Sequence, residues 1–319
     1  MKQRDSNIEL LRIIATAMIV MTHFSGYYLT LAGVDSFWIG GTAMALTRAS
    51  MSALSLIGVN LFILISGYFS IKPKGKSLLN LFTCLAFFYA GLYILNCFIT
   101  NESVLQHHRL LRSLMAFSRE NWFIQCYLFL VLLSPMLTKF VEVVSERQLL
   151  IYISVFLFCA FYFGCIHNST YFYFNSGYSI TTFMLVYLIG RYMRLYGIKR
   201  LNAISTCSLF FVYIACTLLL VVLKLYLPNA ERLWSYCSPV TILSATAFFL
   251  PFTRLNFESN FVNQVGSSCL ATYIVHTCPP VSSWIINIDV QLLKADNALL
   301  YLGGGYNADY QRVSYINFA

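Results

Sequence analysis

Residues 8–28, IELLRIIATAMIVMTHFSGYY, are apolar over most of their length and yet include Glu9, Arg12 and His23. A membrane span needs about 20 apolar residues, and this run supplies them, so the ionisable groups have to be accommodated inside it. On an α-helix each residue advances about 100°. The steps from Arg12 to His23 return to within about 20° of the start, Thr16 falls within about 40° of Arg12, and Glu9 within about 60°. Glu9, Arg12, Thr16 and His23 therefore form one polar stripe, opposite a side made of Ile, Val, Met and Ala. Such a stripe faces a bundle interior or a wet cavity, not lipid. At about 1.5 Å rise per residue, Arg12 lies about 6 Å into the span and His23 about 22 Å, past the midplane of a hydrocarbon core about 30 Å thick. About 16 Å apart along the axis, the two cannot exchange a proton directly, but they can serve the two ends of one long ligand. Singly, each has a plainer reading: Arg12 as a topology anchor that snorkels to the surface, His23 as an interhelical hydrogen-bond donor, Glu9 as half of a surface ion pair. The stripe as a whole is what those readings leave unexplained.

The rest of the chain has the same character. Of 319 residues, 59% are hydrophobic, 17% aromatic and only 10% charged, with a mean hydropathy of +0.69; a soluble domain has about a quarter of its residues charged. So few charges cannot coat a water-facing surface, which places the chain among polytopic membrane proteins. Runs of span length fall near 8–29, 50–70, 78–99, 122–141, 149–166, 178–196, 204–227, 236–253 and 265–287. Spanning backbone must be helix or closed barrel, and the ten-residue alternation of barrel strands is absent from the sequence. The expectation is an all-α polytopic transmembrane helix bundle of nine to ten spans, a single domain over 1–319. No repeat, low-complexity tract or cleavable leader is evident in the sequence. The ten cysteines lie mostly within apolar runs, among them Cys84, Cys97, Cys126, Cys159, Cys207 and Cys216. With no CxxC pair and no Cys/His cluster at metal spacing, they read as small buried residues, and no metal is expected. The formal charge of +9 reads as loop cations that meet anionic lipid or anionic ligands, not nucleic acid.

Lys and Arg in short loops set orientation. With the N-terminus inside, Lys2, Arg4, Lys72, Lys74, Lys76, Lys139, Arg147, Arg191, Arg194, Lys199, Arg200 and Arg254 face the cytoplasm. Arg48, Arg109, Arg112, Arg119, Lys224, Arg232, Lys294 and Arg312 face outward. The bias is modest because the loop near 100–121 is basic. After about residue 288 the pattern breaks. Asp289, Lys294 and Asp296, glycines at 303–305, then Asp309 and Arg312 make a poor span, so 288–319 is expected to be irregular.

Four motifs occur in order. RDSNIELLRIIATAMIVMTHFSGYY carries Arg4, Arg12 and His23. GVNLFILISGYFSIKPKGK ends its apolar run in Ser66, Gly67 and Tyr68 and continues with Lys72, Lys74 and Lys76. NWFIQCYLFLVLLSPML carries Trp122, Tyr127 and Pro135, and LATYIVH carries Tyr273 and His276. Over residues 4 to about 280 this series resembles the membrane acyltransferase-3 family, in which an Arg early in the first helix precedes a His near its far end with ten residues between them. The resemblance implies transfer of an acyl group, usually acetyl, from acyl-CoA to a hydroxyl of a surface glycan or lipid-linked sugar, by a multi-pass protein of the inner (plasma) membrane. Acyl-CoA is then a co-substrate, and no permanently bound cofactor is expected. Catalytic roles are expected for His23, Arg12 and Glu9, donor contacts for Arg4, Lys72, Lys74, Lys76 and Ser66, and substrate contacts for Trp122, Tyr127 and His276. This chain departs from the pattern in having lysines after Ser66, Gly67 and Tyr68 where many relatives show Arg.

The residue chemistry agrees. A neutral imidazole accepts a hydroxyl proton near neutral pH. Arg holds phosphate bidentately and Lys as a point charge, and these cations sit at the face where acyl-CoA is made. Plainer readings exist here too: the lysines as a topology signal, Ser66 and Gly67 as close helix packing, Trp122 and Tyr127 as an interfacial belt, His276 as a buried hydrogen bond. A polysaccharide export component or small-solute transporter is the alternative function. It would more often show repeated halves or broken helices at matching positions, and the sequence displays neither.

Overall fold

The computed structural model describes residues 5–27, 33, 38–73, 75–104, 121–167, 172–197, 201, 203–227, 230–294, 298 and 301. Among them the regular structure is helical, with no strand. The helices are α1 (Ser6–Thr22), α2 (Gly41–Ser55), α3 (Gly58–Phe69), α4 (Gly75–Thr100), α5 (Trp122–Val143), α6 (Glu146–Cys159), α7 (Ile180–Tyr192), α8 (Thr206–Tyr226), α9 (Pro239–Arg254), α10 (Asn260–Ser267), α11 (Cys269–Thr277) and α12 (Pro279–Lys294). α1, α6 and α7 are prolonged by π turns at His23–Tyr27, Ala160–Ile166 and Met193–Gly197.

The all-α transmembrane bundle expected from hydropathy is present. Among the described residues six stretches are long and apolar enough to cross a membrane: Ser6–Tyr27, Gly41–Phe69, Leu78–Thr100, Trp122–Val143, Glu146–Ile166 and Thr206–Tyr226. The run expected at 50–70 begins earlier, because α2 and α3 join through a turn at Leu56 and Ile57 into one 29-residue stretch. α7 and α9 are 13 and 16 residues long, and the run near 265–287 is divided among α10, α11 and α12. A count of nine to ten spans would need these shorter elements to cross as well.

Several helices start on hydroxyl caps that satisfy otherwise orphaned backbone N–H groups. Ser145 forms a capping box with Gln148 at α6. Ser179, Ser205 and Ser259 accept from Thr182, Ser208 and Val262 at α7, α8 and α10. Pro239 opens α9 at a position where no N–H is needed.

α1 is the hub: it packs on α2, α3, α9, α10 and α11, with Leu11 and Ala15 fully buried. Close contacts rely on missing side chains. A Cβ on Gly58 would stand 2.9 Å from the Ala15 carbonyl oxygen, one on Gly190 2.7 Å from that of Leu64, and one on Gly67 would overlap the Tyr187 carbonyl. Small residues let membrane helices approach in this way, so the close-packing reading of Gly67 is correct. Gly67→Val is expected to lower stability by about 1–3 kcal/mol through overpacking, read as an earlier thermal transition in detergent than for Gly91→Val, where a Cβ meets nothing within 4 Å. α4 is peripheral, with Leu79, Phe87 and Phe98 at 66%, 71% and 74% exposure, a face suited to lipid.

Two charged groups stand differently from the sequence expectation. Arg48 was assigned to an outer loop but lies within α2 and is 1% exposed. Near it lie Asp289 of α12 and Tyr301, both fully buried. The Tyr301 hydroxyl donates to Asp289 Oδ1 at 2.7 Å and approaches the Phe24 carbonyl oxygen at 3.4 Å. Regular helix continues past residue 288, as far as Lys294, with Asp289 buried and hydrogen-bonded by Tyr301 instead of facing lipid. The glycines at 303–305, Asp296, Asp309 and Arg312 lie outside the described residues, as do Arg4, Lys74 and the basic loop at 105–120.

Candidate active site

α1 presents the expected stripe to the interior. Glu9 is 3% exposed and faces α10, where a Cβ on Gly266 would overlap the Glu9 carboxylate. Arg12 Nη1 donates to Glu9 Oε1 at 2.7 Å, with the arginine side chain still 38% exposed. The ion pair is thus half buried: its acid is fixed and its base can reach outward. Thr16 is buried, and its hydroxyl donates to the Arg12 carbonyl at 2.9 Å, which leaves its polarity satisfied within the helix.

A cavity of about 290 Å³ opens beside this stripe. Arg12 and Thr16 line it from α1, Ser66 from α3, Tyr127 from α5, Cys269 and Tyr273 from α11, and apolar side chains including Ile19, Phe62, Leu85 and Phe123 complete it. The sequence candidates Arg12, Ser66 and Tyr127 therefore meet in one space. Ser66 and Tyr127 also bond each other across it, oxygen to oxygen at 3.2 Å. The shape is that of a ligand site: largely apolar walls with a few convergent polar groups.

His23 sits beyond the cavity, in the π turn that ends α1, and meets His276 of α11. His23 Nδ1 is 2.9 Å from His276 Nε2, with the rings stacked at 5.0 Å. The other nitrogen of His276, Nδ1, is 3.0 Å from the Thr272 carbonyl oxygen. A carbonyl only accepts, so His276 Nδ1 must carry the hydrogen. In a neutral ring Nε2 is then an acceptor, and it must receive the Nδ1–H of His23. The basic lone pair of neutral His23 is thereby assigned to Nε2. One backbone carbonyl thus selects the tautomer of two rings. Tyr273 connects this pair to the cavity: it lines the cavity, and its ring is 5.5 Å from that of His276.

Trp122 does not line the cavity. It joins an aromatic cluster with Tyr178, Phe183 and Tyr236, at 4.6, 5.8 and 5.7 Å between ring centres. Phe123, next in sequence, links that cluster to Tyr127 and Tyr273 at 5.9 and 5.2 Å. At the opposite end of the bundle Lys72 and Lys76 are exposed beside the start of α4. The sequence treated Arg194 only as a loop cation. It lies 5.0 Å over the Tyr68 ring and donates to the Tyr68 hydroxyl at 3.3 Å, so a further cation stands at the end of the Ser66, Gly67, Tyr68 element. No group of three or more His, Cys, Asp or Glu able to hold a metal is found among the described residues.

The model of the acyltransferase-3 family, described as an acyltransferase domain, matches residues 5–304 of the chain. No curated protein and no solved structure matches it.

Proposed function

Because this chain belongs to the acyltransferase-3 family and is a membrane acyltransferase, we propose that it transfers an acyl group, acetyl in the simplest case, from acyl-CoA to a hydroxyl of a cell-surface polysaccharide or glycolipid. Its place in this reading is the plasma membrane. The observation that carries it is the cavity with Arg12 at one end and the ring of Tyr273, in contact with His276 and so with His23, at the other.

In this reading Arg12, Lys72, Lys76 and Arg194 hold the phosphates of the donor on the cytoplasmic side. The apolar walls take its flexible arm and exclude water from the thioester. His23 Nε2 removes the proton from the acceptor hydroxyl as its oxygen attacks the thioester carbonyl carbon. The carbon–sulfur bond then breaks, and the imidazolium returns its proton to the departing CoA sulfur. His276 acts through His23 as a positioning residue. Glu9 holds Arg12, Ser66 and Tyr127 shape the cavity, and Trp122 borders the approach to the histidines. Donor phosphates would include a contact to a cationic group worth about 1.5–3 kcal/mol. Arg12→Ala is therefore expected to raise KM for acetyl-CoA by about 10- to 100-fold and to change kcat little.

The test is CoA release and acceptor labelling by membranes that contain the protein, supplied with labelled acetyl-CoA and glycan fractions. Transfer of label to an alkali-labile ester on glycan, lost with His23→Ala, is the expected result. Label found on an amine, or transfer unchanged by His23→Ala, would overturn the proposal.

A further inference from the structure

Cys165 and Cys237 were read from sequence as small packing residues, yet they meet across 72 positions of chain with their sulfurs 3.7 Å apart. Both are fully buried. Cys165 belongs to the π turn that ends the α6 span, and Cys237 to the turn just before α9. The surroundings are shaped around the pair. A Cβ on Gly164 would stand 2.7 Å from the Cys237 sulfur, and one on Gly177 2.7 Å from the Cys237 nitrogen. Ser235 Oγ lies 3.0 Å from the same sulfur and accepts from the Cys237 N–H at 3.3 Å.

The pair lies at the histidine end of the bundle. Tyr236, beside Cys237, stacks on Trp122, and from its neighbour Phe123 ring contacts run through Tyr273 to His276. The cations attributed to donor binding lie at the other end. In the orientation that the proposed function uses, the histidine end faces outside the cytoplasm, where thiol pairs are oxidised.

We infer that Cys165 and Cys237 form a structural disulfide on the outer side of the membrane, stapling the end of α6 to the turn that carries Tyr236. The sulfurs need to approach from 3.7 Å to about 2.05 Å, a distance within the reach of side-chain rotation. The oxidant is a disulfide-bearing oxidoreductase or small disulfide. One cysteine thiolate attacks a carrier sulfur to give a mixed disulfide, and the second thiolate displaces the carrier. Two electrons and the two thiol protons leave on the carrier, now a dithiol. The bond forms while these turns are still open, since the finished fold buries both sulfurs. In place, it holds Tyr236 on Trp122 and keeps the Tyr236 carbonyl over Asn60, whose amide donates to it at 3.0 Å.

The experiment traps thiols by adding N-ethylmaleimide to intact cells, then denatures the purified full-length protein in detergent with more maleimide. Reduction and a second, heavier maleimide follow before mass spectrometry. The expected result is the heavy label on Cys165 and Cys237 and the light label on the other cysteines. A linked peptide should appear when reduction is omitted, and Cys165 should carry the light label in Cys237→Ser. Light label on both residues of the wild-type protein, in cells whose known exported disulfide protein is oxidised, would overturn the inference. The readout requires no acyl transfer, so its failure and that of the catalytic proposal are separable.

Discussion

Membranes carrying His23→Ala are expected to transfer acyl groups about 10²- to 10⁴-fold more slowly than wild type, the usual loss when a general base is removed. The variant should still insert, because α1 keeps its packing on α2, α3, α9, α10 and α11. The informative companion is His276. Its Nε2 accepts from His23 at 2.9 Å, and the acceptor character is fixed by the Thr272 carbonyl. His276→Gln can still offer a carbonyl oxygen to the His23 N–H, whereas His276→Ala cannot. The alanine variant is expected to lose most of kcat, by up to about 10⁴-fold, as when a base is left in the wrong tautomer. Glutamine should recover a measurable part of it, with KM for the donor unchanged. Equal losses in the two variants would mean that His276 does more, or less, than orient its neighbour.

Breaking the buried cluster of Arg48, Tyr301 and Asp289 is expected to be the most damaging change to stability. Arg48 is 1% exposed and Asp289 fully buried, with Tyr301 between them and bonded to the aspartate at 2.7 Å. Removing one member of such a buried charged pair leaves the other less compensated, at a cost of about 3–5 kcal/mol. Arg48→Met and Asp289→Leu should each lower the midpoint of thermal aggregation in detergent markedly. The double variant should lie closer to wild type than either, because two apolar residues of similar size restore electrical neutrality. If the double variant is as unstable as the sum of the singles, the two groups are not partners.

The same two residues show where sequence reading stops. α1 was legible because its pattern is local: one period places Glu9, Arg12, Thr16 and His23 on one side, and the structure puts all four there. Gly67 was legible as a close-packing position for the same reason. Arg48 was not, because a hydropathy window reads a charge as a loop, and what makes Arg48 tolerable inside a helix lies 241 positions further along the chain at Asp289. Likewise His276 was recognisable as a candidate, but its partner His23 is 253 positions away, so that its orienting geometry had no local trace. In the tail the same limit applies: Asp289 argues against a lipid-facing helix and says nothing about a buried one, such as the stretch that runs to Lys294. Arg194 was counted as a topology charge because its contact with Tyr68 depends on the crossing of α3 and α7, which two glycines allow.

On the proposed function, the ion pair between Glu9 and Arg12 sets a condition on the donor before it binds. Arg12 is already engaged at 2.7 Å, and Glu9 is held in place by the backbone of α10 packed against it. An incoming donor must therefore compete with a resident carboxylate for the guanidinium. A phosphate-bearing thioester carries enough negative charge to do so. An uncharged one, such as an acyl-pantetheine, carries none and meets an arginine that gains nothing by turning away from Glu9. If the donor is acyl-CoA, as proposed, the built-in anion would act as a threshold on charge against thioesters that fit the apolar walls but lack the nucleotide end.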